Sequence, residues 1–355
     1  IRKDKELPIM QAGLTNIRRL GKLLRSSNWE VTVTLGNRNG TTEIVLIDPS
    51  DTSGKNYGFA FDIGTTTLAG QLVDITSRKV LCSKITYNKQ ATFGADVISR
   101  IIYAQAGDGL EVLHHAVIDG MNMIIRECIA EWGLSLNDIT CCMCAGNTTM
   151  THLLLSVDPT FIRRDPYVPS ANFVPVVRAA EVGIKINPRG LLSCVPGVSS
   201  YVGGDSTAGV LACGMDASEQ LCLLIDIGTN GEIVLGNKDW LICASASAGP
   251  AFEGSGVVCG MRAVSGAIQR VAIDPRDYSL KYETINNAPP RGICGSGYID
   301  ILAEMLKKGV LDKKGKFKTD IKNRRLRDGE WGREFVLVFA SDVAKGHKGQ
   351  EGLSF

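Results

Sequence analysis

The stretch Phe61-Asp-Ile-Gly-Thr-Thr-Thr67 recurs later in the chain as Ile225-Asp-Ile-Gly-Thr-Asn-Gly231. Each copy follows an apolar strand and precedes another strand, so each predicts a hairpin with a Gly-Thr turn. Because the copies lie much further apart than the roughly 20–50 residues of a solenoid repeat, they are typical of a duplicated domain half. We therefore expect two similar lobes that face each other across a cleft. Two unrelated hairpins are the alternative.

A carboxylate stands at the end of each predicted strand, Asp62 in the first copy and Asp226 in the second. A buried carboxylate is costly unless a polar group meets it, so we expect a polar ligand beside each turn. The backbone N–H groups and hydroxyls that follow can hold phosphate oxygens. The predicted phosphate contacts are Gly64, Thr65, Thr66 and Thr67 in the first turn and Gly228, Thr229 and Asn230 in the second. Together the turns are predicted to clamp one polyphosphate, with Asp62 and Asp226 holding Mg²⁺ through water.

A third carboxylate, Asp205, follows Gly203 and Gly204 and precedes a predicted helix of small residues. The two glycines are predicted to contact the nucleotide. Asp205 could orient an attacking water or contact the metal, as a catalytic residue would. It could equally cap the helix, because aspartate is a preferred N-cap residue. The residues alone leave both roles open.

Two further glycine-rich segments fit the same plan. A loop after the second copy carries Gly249 and Glu253, which we expect near the nucleotide, although Glu253 could merely brace its loop. Gly295 and Ser296 precede a helix predicted to begin at Tyr298, and small residues there permit close approach of a phosphate to the backbone. No single glycine-rich turn is specific, but the ordered set indicates nucleotide binding.

The charge balance argues against two classes of partner. Lys and Arg total 39 and Asp and Glu total 37, so the net charge of +2 predicts neither nucleic acid nor an anionic membrane. The longest apolar runs are strand-sized, well short of the roughly 20 residues that span a bilayer. The chain begins without Met or a signal pattern, so we expect that it starts inside a longer protein.

Eleven cysteines are spread along the chain, mostly in apolar or glycine-rich stretches where thiols pack as small hydrophobes. Cys141, Cys142 and Cys144 form one cluster, but adjacent strand residues point to opposite faces and no second ligand pair stands at a metal-site spacing. A metal site is therefore disfavoured. An odd, scattered set of thiols is typical of a reducing cytoplasm, where disulfides rarely persist.

The pattern of predicted elements divides the chain into three parts. Residues 1–57 carry an amphipathic helix that begins near Leu14 and then a β-hairpin, so they predict a small α+β module. Residues 58–220 alternate strands and helices, which predicts a first layered α/β lobe. Residues 221–355 carry the second copy of the repeat and predict a second lobe.

The glycine-rich turns belong to a longer series of motifs with a definite order. In sequence they are Asp62-Ile-Gly-Thr-Thr-Thr67, Asn88-Lys-Gln90, Phe93-Gly-Ala-Asp-Val-Ile-Ser-Arg100, Cys144-Ala-Gly-Asn-Thr-Thr-Met150, Tyr201-Val-Gly-Gly-Asp205, Asp226-Ile-Gly-Thr-Asn-Gly-Glu232, Ser247-Ala-Gly-Pro-Ala-Phe-Glu-Gly254 and Gly292-Ile-Cys-Gly-Ser-Gly-Tyr298. Over residues 58–340 this series resembles the reductive activators of corrinoid proteins. Residues 1–57 resemble the connecting part that precedes the ATPase domain in that family. The family continues into further helices after the segment that ends at Val338, so the resemblance implies that the lobe of residues 221–355 is incomplete at its C-terminus.

The resemblance implies a duplicated ribonuclease H-like fold of the actin, Hsp70 and sugar-kinase type (ASKHA). It implies ATP-driven reduction of cobalt(II) to cobalt(I) in a partner, a corrinoid protein of a methyltransferase system. ATP and Mg²⁺ are the ligands expected at the site, with Asp62, Asp205 and Asp226 as its catalytic carboxylates.

In that family, electrons reach the corrinoid through an iron–sulfur cluster in a ferredoxin-like domain. No Cys run with ferredoxin spacing is present here, so a 2Fe–2S cluster is expected only in a domain that these residues lack. Two other functions stay open on the same fold, a small-molecule kinase and an ATP-gated scaffold. A homodimer also stays open.

Overall fold

The computed structural model describes residues 6–7, 9–247, 249, 257–319, 321–329, 332–343 and 352–354. It divides the chain into two compact units. The first unit comprises residues 1–224 with 232–245, and the second comprises residues 225–231 with 246–355.

The first unit opens with a small α+β module. Its elements are β1 (Met10–Ala12), α1 (Leu14–Ser26), β2 (Val31–Arg38) and β3 (Thr41–Pro49). The three strands form a sheet of order β1-β3-β2, in which β2 and β3 are antiparallel. The hairpin turns at Asn39 and Gly40, which both have positive φ, as a two-residue Asn-Gly turn requires. The predicted helix and hairpin are confirmed.

A buried ion cluster fastens this module to the rest of the first unit. Glu43 of β3 is fully buried and accepts hydrogen bonds from the guanidinium groups of Arg38, Arg178 and Arg189. Burial raises the pKa of Glu43, but the arginines outweigh it and the pKa lies below its ordinary value. Arg189 also donates to the backbone oxygen of Ile44 at 2.9 Å. One carboxylate therefore joins the hairpin to two arginines that lie 135 and 146 positions further along the chain.

A six-stranded sheet forms the body of the first unit. Its strands are β4 (Tyr57–Ile63), β5 (Thr67–Asp74), β6 (Lys79–Tyr87), β7 (Ile139–Gly146), β8 (Val177–Arg178) and β9 (Leu191–Cys194), in the order β6-β5-β4-β7-β9-β8. The helices of this unit are α2 (Val97–Ala104), α3 (Gly109–Glu131), α4 (Thr148–Leu154) and α5 (Gly204–Cys213). Strands β4, β7 and β9 are parallel neighbours, whereas β5 and β6 run antiparallel to their partners. The predicted alternation of strands and helices is confirmed.

The main core of the first unit lies between this sheet and α3. Phe59, Phe61 and Leu68 are buried on the sheet, and Leu113 and Met121 are buried on the helix. Alternate residues of a strand share a face, and residues three or four apart share a face of a helix, so both patterns present apolar sides to one another. The sheet is thereby held rigid beneath the loops that follow its strands.

One pair of cysteines differs from the expectation of reduced thiols. Cys82 of β6 and Cys128 of α3 are joined in a disulfide, with their Cα atoms 5.8 Å apart. The two residues are 46 positions apart, and only the packing of α3 on the sheet brings them together. Cys142 and Cys144 pack as buried thiols, and burial raises the pKa of Cys194 to about 11.

A three-stranded sheet follows α5. Its strands are β10 (Cys222–Ile227), β11 (Asn230–Gly236) and β12 (Leu241–Ser247), in the order β10-β11-β12. The hairpin of β10 and β11 was predicted from the second copy of the repeat and is confirmed.

The second unit has its own hydrophobic core. Its elements are β13 (Ala267–Ile273), β14 (Leu280–Thr284), β15 (Gly292–Ile293), α6 (Gly295–Lys307), β16 (Leu326–Gly329), β17 (Gly332–Val338) and β18 (Leu353–Ser354). They form sheets of order β14-β13-β15 and β16-β17-β18, and the core includes Ile268, Ile301, Met305 and Phe335. Helix α6 begins three residues earlier than predicted, since Gly295 to Gly297 form its first turn. Among the described residues, no helix has the length and apolar character needed to cross a membrane.

Candidate functional site

The first predicted phosphate turn joins β4 to β5. Asp62 is the second-last residue of β4, next to the turn. Its side chain is exposed, whereas Phe61 and Ile63 are buried. The expectation of a buried carboxylate is therefore wrong for Asp62, and Asp226 is also exposed. In β4 the reason is that successive side chains point to opposite faces of a strand, so Asp62 points away from the apolar face. An exposed carboxylate beside a turn is accessible to a ligand.

The loops after β4, β7 and β9 pack against one another through glycines. A Cβ on Gly146 would lie 2.9 Å from the backbone oxygen of Ile63, and a Cβ on Gly203 would lie 2.4 Å from the Cα of Asn147. Only glycine permits such close approach of backbone to backbone. Because these strands are parallel, their carboxyl ends share one edge of the sheet, which is where open α/β sheets bind ligands.

Asn147 links two of these loops and had no role in the sequence prediction. Its Oδ1 accepts a hydrogen bond from the backbone N–H of Met150 at 3.0 Å, which caps α4, and its Nδ2 donates to Thr65 Oγ1 at 3.1 Å. Since Thr65 Oγ1 accepts this bond, the hydroxyl proton of Thr65 is left to donate elsewhere, for example to a phosphate oxygen. An Asn between a strand and an apolar helix is an N-cap signal, and this signal could have identified the residue.

Asp205 lies inside α5 rather than at its cap. The N-cap residue is Gly203, and the helix begins at Gly204. The side chain of Asp205 is half-buried and its Oδ1 accepts a hydrogen bond from the backbone N–H of Ser206 at 2.8 Å. The carboxylate thus satisfies a first-turn N–H without being the N-cap residue, and its catalytic role stays a prediction. Gly203 places the amino end of α5 beside Asn147, and Gly204 lies against the backbone of Val195.

The second turn lies between β10 and β11. The backbone N–H of Gly228 donates to the oxygen of Asn230, and the oxygen of Thr229 accepts from the N–H of Gly249, both at 2.9 Å. Gly249 is therefore hydrogen-bonded to this turn, and its predicted nearness to the nucleotide stays a prediction. Glu253 lies outside the described residues.

Gly295 and Ser296 lie in the first turn of α6, where the Oγ of Ser296 is 3.2 Å from the Sγ of Cys294. Their nearness to the nucleotide stays a prediction. The clamping of one polyphosphate by both turns also stays a prediction.

Each of the two turns, taken by itself, carries one carboxylate next to backbone and hydroxyl groups, and the predicted magnesium site stays a prediction. Asp62 and Asp226 are exposed carboxylates, and Mg²⁺ is usually bound through one or two carboxylates with several waters and substrate phosphates. Within the described residues, no group of three or more His, Cys, Asp or Glu side chains could hold a metal ion. The expectation that a 2Fe–2S cluster lies only in a domain outside these residues stays a prediction.

Two family models match most of the chain. Residues 57–218 match the model described as the RACo middle region. Residues 220–349 match the model described as the C-terminal domain of RACo, the ASKHA domain.

Two curated proteins and one solved structure are similar to the chain. The corrinoid activation enzyme RamQ of Eubacterium limosum is 37% identical over 318 residues, which are 87% of this chain and 53% of the relative. The Co(II) methylated amine-specific corrinoid protein reductase of Methanosarcina barkeri is 27% identical over 295 residues, which are 72% of this chain and 52% of the relative. A solved structure titled reductive activator for corrinoid, iron-sulfur protein is 45% identical, with a TM-score of 0.88, over all of this chain and 56% of that chain.

The chain therefore spans about half the length of the relatives that it matches. The ASKHA family model and the similar solved structure confirm the predicted fold class. An ASKHA domain is a nucleotide-binding fold, and both curated relatives are named as enzymes.

Proposed function

Because the chain belongs to the RACo family of reductive activators of corrinoid proteins, we propose that it supplies the ATP-handling part of such an activator. Its ligands are ATP and Mg²⁺, and its partner is a corrinoid protein of a methyltransferase system. ATP hydrolysis on this chain favours the complex in which an inactive cobalt(II) corrinoid takes up one electron and becomes cobalt(I). The proposal places the protein in the cytoplasm.

One observation carries the nucleotide part of the proposal. The loops after β4, β7 and β9 meet at one edge of the sheet, where glycines bring their backbones into contact. This edge combines the Thr65 hydroxyl, held by Asn147, with the amino end of the ten-residue helix α5. Backbone N–H groups and a helix dipole both favour a bound anion. The arrangement supports a phosphate site better than a site for a neutral ligand.

The residues of this edge bind and orient the polyphosphate. Thr65 donates its hydroxyl to a phosphate oxygen, and Asp205 is placed at the amino end of α5 to orient a water molecule for attack. Asp62 and Asp226 would hold Mg²⁺ through water, and the ion would neutralise charge on the polyphosphate. The ion would also stabilise the negative charge that develops on the leaving group during hydrolysis.

The proposed partner is a corrinoid protein. This part of the proposal rests on the family and on an energetic argument. Cobalt(I) is a strong reductant, so ordinary donors transfer an electron to cobalt(II) only when the product state is stabilised. A nucleotide can supply such stabilisation only if it binds one conformation of the activator better than another. The electron itself comes from a low-potential one-electron donor, because the step from cobalt(II) to cobalt(I) takes up one electron.

The test is to follow cobalt(I) formation directly. The chain is mixed with a cobalt(II) corrinoid protein and titanium(III) citrate, with and without MgATP, and the visible spectrum is recorded under anaerobic conditions. We expect a higher yield of cobalt(I) with MgATP than without it. An unchanged yield, together with ATP-dependent phosphorylation of a small metabolite, would favour a kinase instead.

A further inference from the structure

Two motifs in the series, Asn88-Lys-Gln90 and the segment that ends at Arg100, had no assigned role. The side chains of Asn88, Gln90 and Arg100 are completely buried in the first unit. They lie directly beneath the first phosphate turn, and their hydrogen bonds lead to its backbone.

Three consecutive backbone oxygens of the turn are held by these residues. The oxygen of Gly64 accepts from Asn88 Nδ2 at 2.9 Å, and the oxygen of Thr66 accepts from the backbone N–H of Asn88 at 2.9 Å. The oxygen of Thr65, between them, accepts from Arg100 Nη2 at 2.5 Å. All three peptide oxygens therefore point into the lobe.

The direction of these oxygens fixes the direction of the N–H groups. In a trans peptide the N–H of a residue points away from the oxygen of the residue before it. The N–H groups of Thr65 and Thr66 are thus turned away from the buried side chains beneath the turn. A turn with this orientation is already arranged to donate to an anion, so binding has little ordering cost.

A second layer of hydrogen bonds holds the two anchoring side chains in place. Gln90 Oε1 accepts from both Arg100 Nη1 and Asn88 Nδ2, each at 3.2 Å, and Gln90 Nε2 donates to the backbone oxygen of Leu113 at 2.9 Å. Arg100 Nε also donates to the backbone oxygen of Gly94 at 2.9 Å. The network reaches from the turn to α3, and its members are locked by packing and hydrogen bonds.

We propose that Asn88 and Arg100 are positioning residues that preset the first turn for phosphate binding. This inference rests on the proposed function, because it assigns the phosphate groups of the nucleotide as the ligand of that turn. The two residues act through the backbone of Gly64 to Thr66 and do not touch the phosphate.

The test compares two buried asparagines with matched surroundings. Asn88 and Asn122 each donate Nδ2 to a glycine oxygen at 2.9 Å, of Gly64 and Gly183 respectively, and each accepts a backbone N–H on Oδ1. Asn122 lies in α3, and its partners are outside the phosphate turn. Asn88→Ala and Asn122→Ala should therefore cost similar stability, whereas only Asn88→Ala should weaken phosphate binding.

The binding probes are MgATP and magnesium tripolyphosphate, measured by calorimetry on the whole chain. Loss of a group that orients a metal-ligating residue typically costs about 10–100-fold in metal affinity or activity, and we take the same range for a group that orients a phosphate-binding turn. We expect such a loss for both probes in Asn88→Ala and Arg100→Met, and a smaller one in Arg100→Lys, whose single ammonium group can replace part of the guanidinium. Melting temperatures identify any variant that fails to fold. If the Arg100 variants fail to fold, the inference is tested by comparing Asn88→Ala with Asn122→Ala.

The possible results separate this inference from the proposed function. If the unaltered chain binds neither probe, the proposed function is wrong. If it binds both and the affinities of Asn88→Ala and Asn122→Ala fall equally or not at all, the positioning role is wrong while the proposed function stands.

Discussion

The side-chain amide of Asn147 donates to the hydroxyl oxygen of Thr65 across 3.1 Å, and so joins the loop after β7 to the loop after β4. The orientation of this amide is fixed, because its oxygen accepts the backbone N–H of Met150. One residue thereby caps α4 and orients a predicted phosphate donor. The bond connects a local feature of helix formation to the proposed nucleotide site.

Asn147→Ala should weaken both stability and nucleotide binding. Loss of an N-cap costs about 0.5–2 kcal/mol of folding free energy, and Thr65 would lose the partner that orients its hydroxyl. We expect a rise of several-fold or more in the Kd for MgATP, measured by calorimetry. Ser135→Ala is a suitable control, because Ser135 forms a capping box at the opposite end of β7. Equal affinity in both variants would show that the Thr65 contact does not serve binding.

Asp226→Ala should abolish nucleotide-dependent activity and leave the fold intact. The side chain is exposed, so its loss leaves no cavity, whereas a metal-holding carboxylate contributes several kcal/mol to phosphoryl transfer. We expect ATP hydrolysis to fall by about 100-fold or more. Asp239→Ala, which removes an exposed carboxylate between β11 and β12, should hydrolyse ATP normally. Unchanged hydrolysis or MgATP affinity in Asp226→Ala would remove the metal assignment.

Glu43 should make the stability of the first unit sensitive to acid. Because the folded-state pKa of Glu43 is lowered, the ionised form stabilises the fold above the unfolded-state pKa. That stabilisation is lost as the pH falls through the folded-state pKa. Breaking a buried ion cluster typically costs about 3–5 kcal/mol, so Glu43→Gln should be less stable at pH 7 and should vary less with pH in the acid range.

The control for Glu43→Gln is a substitution in a surface ion pair. Glu219 lies 2.8 Å from Lys238 with most of its side chain exposed, so Glu219→Gln should change stability little. Urea unfolding at several pH values measures both variants. A Glu43→Gln protein with the same pH dependence as the unaltered chain would contradict the role of the cluster.

The Cys82–Cys128 disulfide should be detectable by counting thiols. After purification in air, the denatured chain should titrate nine free thiols of its eleven cysteines, and eleven after reduction. Closing a loop of this size typically stabilises a protein by about 2–4 kcal/mol, so reduction should lower the melting temperature. Cys82→Ser should melt like the reduced protein, while Cys213→Ser, at an exposed position, should not. Eleven free thiols before reduction would show that the pair does not form a bond in solution.

Local sequence patterns were sufficient to predict helices, strands and turns. The hairpin after Asn39 and the helix that begins at Leu14 follow from turn residues and apolar spacing, which act over a few residues. The repeat and its glycines likewise located the two candidate turns. The fold class followed from the order of these features.

Features that depend on distant contacts could not be predicted from the residues alone. The exposure of Asp62 depends on which face of β4 meets α3, and the apolar run of the strand does not reveal that face. The hydrogen bond of Arg100 to Thr65 joins residues 35 positions apart, and the disulfide joins residues 46 positions apart. These contacts depend on the packing of α3 on the sheet and of α2 on α3.

The most direct test of ATP-dependent activation is a calorimetric titration of a cobalt(II) corrinoid protein into this chain, with MgATP and without nucleotide. If the nucleotide and the partner favour the same conformation, each must raise the affinity of the other by the same factor. Couplings of this kind typically amount to about 1–3 kcal/mol, or about 5–150-fold in Kd. We predict a change of this size in the affinity for the corrinoid protein when MgATP is present. Equal affinity with and without MgATP, in a chain that binds MgATP, would contradict the account.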